Sequence, residues 1–306
     1  MATFDVVLLT ADEYLDNQQQ GLLFHNVRTE DGLVAKALEN VGLRIAIRSW
    51  SDSEFDWSST KYVLVRTPWD YFERSKEFMD WFDNTSQMTT FINSAELIRW
   101  NFDKNYLKEL QQKGIVIPKT HFISKGSEMT LKQALELAEE TFGRTCHTWV
   151  LKPCIAAGAY HTFKFNKLEI GTYAERFEEL ISESDFMLQE FQASIASTGE
   201  LSLMFFGTSF SHGVIKRAKL GDFRVQDDYG GTVGVHTATQ EEIDFALRVL
   251  NACEELPTYS RVDILEDNDG NLALAELEIF EPELWFRLQP ESASILAKTI
   301  TKTYFT

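Results

Sequence analysis

Hydrophobic and polar positions alternate over residues 1–95 in segments that are typical of strands and helices. Two segments place apolar residues at helical spacing, "EDGLVAKALENVG" and "DYFERSKEFMDWFDN". Short apolar runs around them predict strands, namely "FDVVLLT", "LRIAIRSW", "KYVLVRT" and "TTFINS". Alternation of strand and helix predicts a parallel sheet with crossover helices, so we expect an N-terminal α/β domain on the substrate side. Ligands of such sheets favour the carboxyl ends of the strands.

The order of elements changes after residue 95, where strands and helices no longer alternate one by one. Helical patterns occur in "NFDKNYLKELQQKG", "TLKQALELAEETFG", "TYAERFEELISE" and "QEEIDFALRVLNACEEL". Strand patterns occur in "IPKTHFI", "WVLKP", "YHTFKF" and "FMLQEF", and "GELSLMFF" and "FSHGVIKRA" predict a hairpin around Gly207. This pattern predicts a two-part α+β body, divided into residues 96–188 and 189–306.

Three carboxylates lie in apolar, strand-like runs near the C-terminus. Asp263 interrupts "YSRVDIL", and Glu276 and Glu278 interrupt "LALAELEIF". If Asp269 and Gly270 form a two-residue hairpin turn, Asp263 lies opposite Glu276 and Glu278 points to the same face. Like charges that face each other are destabilising, and an oxygen-rich cluster suits a hard dication such as Mg²⁺. The pattern therefore predicts a metal site.

Two other interpretations of this hairpin stay open at the level of sequence. The stretch "LEDNDGNLALAE" nearly fits a calcium loop, but Leu265 stands where an acid is required and the flanks are strands. The acids are also compatible with a solvated face of an edge hairpin.

Composition narrows the class of partner. Lys and Arg number 29 and Asp and Glu number 47, which gives a formal net charge of −18. Such a balance argues against a nucleic-acid or anionic-membrane partner. The three cysteines form no CxxC pair, which disfavours a disulfide framework or zinc site, and no run approaches the ~20 apolar residues of a membrane span. The N-terminus lacks the features of a signal peptide, so we expect a cytoplasmic protein, with a homodimer left open.

The ordered set of short motifs over residues 93–300 resembles the ATP-grasp superfamily, which includes glutathione synthetases, D-alanine–D-alanine ligases and related carboxylate–amine ligases. The motifs are a lysine in "NFDKNYLKEL", then "VLKP", "LQEF", "GELSL", "GDFRVQDDYGG", "RVD" and "ELE". The stretch "RTPWDY", together with "WNFDKNYLKEL", is also similar to the branch that contains the cycloserine-biosynthesis cyclo-ligase.

The resemblance implies roles for particular residues. Lys104 and Lys152 would hold the ATP phosphates, and Arg224 and Lys216, in the cation-rich "KRAKLGDFR", are the candidate catalytic residues near the transferred phosphoryl group. The nucleotide would further contact Gln189, Glu190, Phe191 and Glu200, the backbone at Gly230 and Gly231 would approach the substrate, and Asp263, Glu276 and Glu278 would bind Mg²⁺ or Mn²⁺.

Two departures from the pattern affect these expectations. Many relatives have Asn where Glu278 stands, and the added negative charge can alter metal number or affinity. Many also have a glycine-rich loop where this chain has "KPCIAAGAYHT", which offers only Gly158. We expect that loop to be stiffer, or to cover phosphate less closely.

Candidates for binding the substrate carboxylate are Arg66, after the third predicted strand, and Arg287, after the acidic strand, because arginine pairs carboxylates bidentately. The sequence thus predicts an ATP-dependent, ADP-forming ligase that joins a carboxylate to an amine or ureido-type nitrogen of a small amino-acid-like substrate. A small-molecule kinase on the same scaffold and a nucleotide-binding regulator without turnover are the alternatives.

Overall fold

The computed structural model describes residues 2–16, 18–219, 221–225 and 230–305. Its strands form three sheets. The N-terminal sheet has the order β2-β1-β3-β4 and is parallel throughout, as predicted, with strands β1 Phe4–Thr10, β2 Ile45–Ser49, β3 Thr60–Thr67 and β4 Thr90–Ile92. Helices of this region are α1 Asp12–Leu15, α2 Leu22–Asn40, α3 Ser75–Thr85 and α4 Ala95–Asn101.

The central sheet is antiparallel, in the order β5-β8-β6-β7. Its strands are β5 Thr120–Ile123, β6 Thr148–Pro153, β7 Phe163–Asn166 and β8 Phe186–Glu190. Helices α5 Tyr106–Gln112, α6 Leu131–Phe142 and α7 Ile170–Ile181 accompany it. Helix α6 begins with a capping box on Thr130 and ends at Gly143 in the left-handed conformation, so its pattern in the sequence predicts both ends.

The C-terminal sheet is antiparallel, in the order β11-β10-β9-β12-β13. Its strands are β9 Glu200–Phe206, β10 Ser209–Arg217, β11 Thr232–His236, β12 Tyr259–Glu266 and β13 Leu272–Glu278. The helices are α8 Ser194–Ser197, α9 Gln240–Ala252 and α10 Glu291–Tyr304. The predicted hairpin around Gly207 is β9–β10. The predicted division at residues 188 and 189 crosses β8 and stays a prediction, whereas the fold class is confirmed.

Two helical features differ from the sequence prediction. The segment 101–114 was expected to be one helix, but α5 begins only at Tyr106, and Lys104 lies in the turn before it. The preceding helix α4 stops at Asn101, whose buried side chain bonds the backbone of Leu277, Ile279 and Phe280 and fixes the chain there. The sequence analysis also missed α10, which packs against α2 and the N-terminal sheet. No helix in the described part of the chain is long and apolar enough to cross a bilayer.

Candidate active site

A cavity of about 300 Å³ is lined by the central and C-terminal sheets, by α2 and by the segment after β3. Most of the residues predicted for the site lie in its wall: Lys104, Lys152, Gln189, Glu190, Phe191, Glu200, Lys216, Arg224, Asp263, Glu276 and Glu278. Arg66, Arg287, Gly230 and Gly231 are absent from the lining among the described residues. The fold therefore gathers motifs that are far apart in the sequence into one place.

The acidic hairpin has the predicted pairing but a different turn. Asp263 is the direct partner of Glu276, and Arg261 is that of Glu278. The expected two-residue turn is wrong, because residues 267–271 connect the strands and Gly270 has φ +81°. This longer loop shifts the register by one residue, and a bulge at Ala275 shifts it back before Glu276.

Each of the three carboxylates predicted to bind metal, Asp263, Glu276 and Glu278, is paired with a cation of the protein. Asp263 Oδ2 lies 2.8 Å from Arg261 Nη2 and 3.1 Å from Lys216 Nζ, and Arg261 also bonds Glu278. Glu276 Oε1 lies 3.0 Å from Lys104 Nζ. Burial opposes ionisation of Asp263, but Arg261 and Lys216 hold its pKa below the ordinary value. The repulsion inferred from the sequence is thus compensated within the chain.

The donor chemistry of Asp263, Glu276 and Glu278 fits a hard dication, since all three supply oxygen on neighbouring strands. Within the described ranges, however, no group of three acidic, histidine or cysteine side chains is arranged to hold a metal ion. Binding of a metal would therefore have to exchange carboxylate–cation pairs for carboxylate–metal bonds, and the metal roles stay predictions.

The two predicted phosphate-binding lysines differ in their surroundings. Lys104 Nζ bonds Glu276 and, at 2.5 Å, the carbonyl of Ala156. Burial acts to lower the pKa of Lys104, but Glu276 and other carboxylates raise it above its ordinary value. Lys152, in β6, makes no salt bridge with any described residue, and burial lowers its pKa.

The loop after β6 reaches the cavity although it contains a single glycine. Residues 156–159 line the wall, and Gly158, Ala159 and His161 all have positive φ, at +56°, +60° and +49°. Non-glycine residues rarely adopt that conformation. The loop thus has alanine and histidine in a backbone conformation that usually favours glycine, and its expected stiffness stays a prediction.

The predicted adenine side is built on β8 and the hairpin tip. Gln189 Nε2 donates to Thr120 Oγ1 at 2.8 Å, and Lys164 Nζ lies 3.7 Å from the centre of the Phe191 ring. Arg144 bonds both Glu190 and Asp269, which joins β8 to the tip of the acidic hairpin. These contacts hold the strand end rigidly at the cavity wall.

The loop from β10 to β11 contains the remaining predicted residues. Arg224 lines the cavity and forms a two-point contact with Asp222, with Nη2–Oδ2 at 2.7 Å. Gly230 has φ +82°, and an added Cβ would lie 3.3 Å from Lys219 Cδ. The positive φ at residue 230 favours glycine, and the contact with Asp222 fixes the side chain of Arg224. The roles of both residues toward the substrate stay predictions.

The arginines proposed for the substrate carboxylate are engaged elsewhere. Arg66 is 1% exposed, its Nε lies 3.2 Å from Asp31 Oδ1, and it donates to the carbonyl of Pro282. Arg287 bonds Glu30 and Glu283. The acids Asp31 and Glu30 of α2 bind these two arginines, which therefore anchor the segment 281–287. Neither arginine lines the cavity among the described residues.

Two residues of the cavity escaped the sequence analysis. Arg261 precedes Asp263 by two positions on β12, so the spacing i, i+2 placed both on one face and could have revealed it. Glu281 accepts bonds from Trp69 Nε1 at 2.7 Å and Tyr71 Oη at 2.9 Å. Burial raises the pKa of Glu281 to about 7. No local pattern in the sequence indicated that partnership, since more than 200 residues separate the donors from the acid.

Comparisons with known proteins show similarity in sequence and in fold. Residues 6–93 match the family described as D-cycloserine synthetase DcsG, N-terminal domain. The cycloserine biosynthesis protein DcsG of Streptomyces lavendulae is 27% identical over 282 residues, which cover 87% of this chain and 91% of the relative. The crystal structure of D-cycloserine synthetase DcsG has a TM-score of 0.85 at 23% identity, covering 97% of this chain and 98% of that one. The ATP-grasp ligase PsnB, in complex with a phosphomimetic variant of its minimal precursor, Mg and ADP, has a TM-score of 0.63 at 14% identity, covering 99% of both chains.

The fold is that of the ATP-grasp ligases, and the relatives with similar sequence and structure are named ligases, which agrees with the superfamily and enzyme class predicted from the sequence. Within that class, the similarity to the cycloserine branch is confirmed as well.

Proposed function

We propose that this protein uses ATP to activate a carboxylate as an acyl phosphate and joins it to an amine or ureido-type nitrogen of a small amino-acid-like substrate, releasing ADP and phosphate. The observation that carries the proposal is the convergence of Lys104, Lys152, Lys216 and Arg261 on one cavity. Fixed cations of this kind stabilise phosphate groups and the charge that develops during phosphoryl transfer.

The four cations divide by their contacts. Lys104 and Lys152 come from the turn before α5 and from β6, beside the loop 156–159, and are suited to the phosphates of bound ATP. Lys216 and Arg261 share Asp263 on the C-terminal sheet and are suited to the carboxylate and acyl phosphate. Arg224, on the loop, keeps its predicted role near the transferred phosphoryl group.

Asp263, Glu276 and Glu278 would hold Mg²⁺, with Mn²⁺ as a substitute. A bound dication supplies positive charge that neutralises the phosphates during transfer. The support is the chemistry of these three donors together with the presence of Mg and ADP in the PsnB complex.

The relatives support the substrate class. DcsG is named for the synthesis of D-cycloserine, a small amino-acid-like product, and its full length is covered almost completely by this chain. Ligation within one molecule, to close a ring, and ligation between two molecules use the same activated carboxylate. Both forms belong to the proposed function.

The test is acyl-phosphate trapping. Both enantiomers of the standard amino acids, their O-ureido derivatives and simple carboxylic acids would each be incubated with protein, ATP, Mg²⁺ and hydroxylamine. Release of ADP and phosphate with formation of a hydroxamate is the expected result for at least one acid. Phosphate found on a hydroxyl group of a substrate would instead identify a kinase, and tight ATP binding with no ADP release from any acid would identify a regulator.

A further inference from the structure

Part of the cavity wall consists of residues without positive charge. These residues are Leu23 and Asn26 of α2, Trp69 after β3, and Glu281 and Trp285 of the segment 281–287. None of these residues belongs to the set inferred for ATP or metal. They are contributed mainly by the N-terminal domain and by the segment anchored to it through Glu30 and Arg66.

Glu281 is held in place entirely by neutral donors. The indole of Trp69 and the hydroxyl of Tyr71 bond its two carboxylate oxygens at 2.7 Å and 2.9 Å. In contrast to Asp263, Glu276 and Glu278, it has no salt bridge with a cation anywhere in the described part of the chain. Lys104 and Arg261 favour the ionised form of Glu281 only from a distance, and burial raises its pKa. A cationic ligand in direct contact would therefore stabilise this partly buried carboxylate.

Trp285 connects this part of the wall to the cations proposed to activate the acid. Its side chain is 3% exposed, and its indole N–H has no hydrogen-bond partner among the described residues. Its backbone has φ +47°, a strained value for a bulky residue that is typical of functional sites. Arg261 and Lys216 lie over its ring, at 5.0 Å and 5.6 Å from the centroid, so the ring is fixed beside both proposed activating cations.

We propose that this part of the cavity wall is the subsite for the amine substrate, in which the Glu281 carboxylate accepts hydrogen bonds from the amino group. The inference rests on the proposed function. It adds an orientation: the activated acid lies at Lys216 and Arg261, and the nucleophilic nitrogen approaches from Glu281. In its ionised form Glu281 repels a carboxylate or phosphate and attracts an ammonium group, so the subsite favours a substrate with an amino group.

The test separates acid activation from use of the amine. In the wild type, ADP release would be measured with the acid that gives a hydroxamate, first with hydroxylamine in excess and then with a panel of amino acids as acceptors. Glu281→Gln should retain hydroxamate formation within about twofold. Its KM for the acceptor amino acid should rise about tenfold to a hundredfold, the effect of losing one charge-assisted hydrogen bond. The KM for ATP should not change.

Two further variants complete the design. Trp69→Phe keeps the carboxylate and removes one donor that positions it, so we expect a smaller rise in the same acceptor KM. Glu254→Gln, at an exposed position just after α9, is the matched control and should leave every parameter unchanged. An unchanged acceptor KM in Glu281→Gln would overturn the subsite, as would equal loss of hydroxamate formation and of ligation. Failure of the wild type to form any hydroxamate would instead reject the proposed function itself.

Discussion

Lys104 and Lys152 are cations of one cavity, but only Lys104 has a carboxylate partner. Removal of Lys104 leaves Glu276 partly buried and unpaired, whereas removal of Lys152 relieves a buried charge that has no salt bridge. At the scale of single residues, two similar lysines therefore have opposite effects on the ligand-free protein.

We predict that Lys104→Met lowers the free energy of unfolding of the ligand-free protein by about 1–3 kcal/mol, the cost of an unsatisfied charged group. Lys152→Met should leave it unchanged or raise it. Both variants should weaken ATP binding, because both charges meet the phosphates. Urea denaturation and calorimetric ATP titration measure the two quantities. Equal destabilisation by the two substitutions would contradict the assigned pairing of Lys104 with Glu276.

At the scale of elements, the position of the carboxylates on the hairpin β12–β13 depends on its turn and its bulge. The turn shifts the strand register by one residue, and the bulge at Ala275 shifts it back. Gly270 has φ +81° in this turn, and an added Cβ would meet nothing within 4 Å. Any cost of a side chain at this position is therefore backbone strain rather than a clash. The turn is further fixed by Arg144 on Asp269 and by Asn268 on the carbonyl of Phe191.

We predict that Gly270→Ala destabilises the protein by about 1 kcal/mol, the usual cost of a left-handed backbone for a residue with a Cβ. Gly32→Ala is the matched control, because Gly32 lies within α2 and also has open space around its Cα. That control should stabilise the protein by about 0.5–1 kcal/mol through helix propensity. Melting temperatures of the two variants suffice, and a stabilising Gly270→Ala would show that the turn does not have this conformation in solution.

At the scale of the whole molecule, the central and C-terminal sheets, α2 and the segment after β3 supply the wall of one cavity, and ligand binding should therefore stabilise them together. We predict that ATP with Mg²⁺ raises the melting temperature. When free ATP is a hundredfold above its Kd, the free energy of unfolding should rise by about 2.7 kcal/mol. A chelator should remove most of the shift, since Asp263, Glu276 and Glu278 would then retain only their protein cations. If ATP stabilised the protein equally with and without Mg²⁺, the metal assignment would be wrong.

The sequence by itself determined the features that depend on neighbours along the chain. Period-2 and period-3.6 patterns predicted the parallel N-terminal sheet, the β9–β10 hairpin and both ends of α6, because local backbone preferences and one-sided burial produce them. The same alternation put Glu276 and Glu278 on one face of β13. The order of short motifs was enough to indicate the superfamily.

Only the tertiary structure decided which partner each charged group has. Arg66 looked available for substrate, but packing of α2 on the N-terminal sheet brings Asp31 against it. Glu281 accepts hydrogen bonds from Trp69 and Tyr71, which lie more than 200 residues earlier in the chain. The turn of the acidic hairpin was predicted incorrectly, and the bulge at Ala275 restores the predicted pairing of Asp263 with Glu276. Such pairings arise when separate elements dock, and a periodic pattern carries no record of which surfaces will meet.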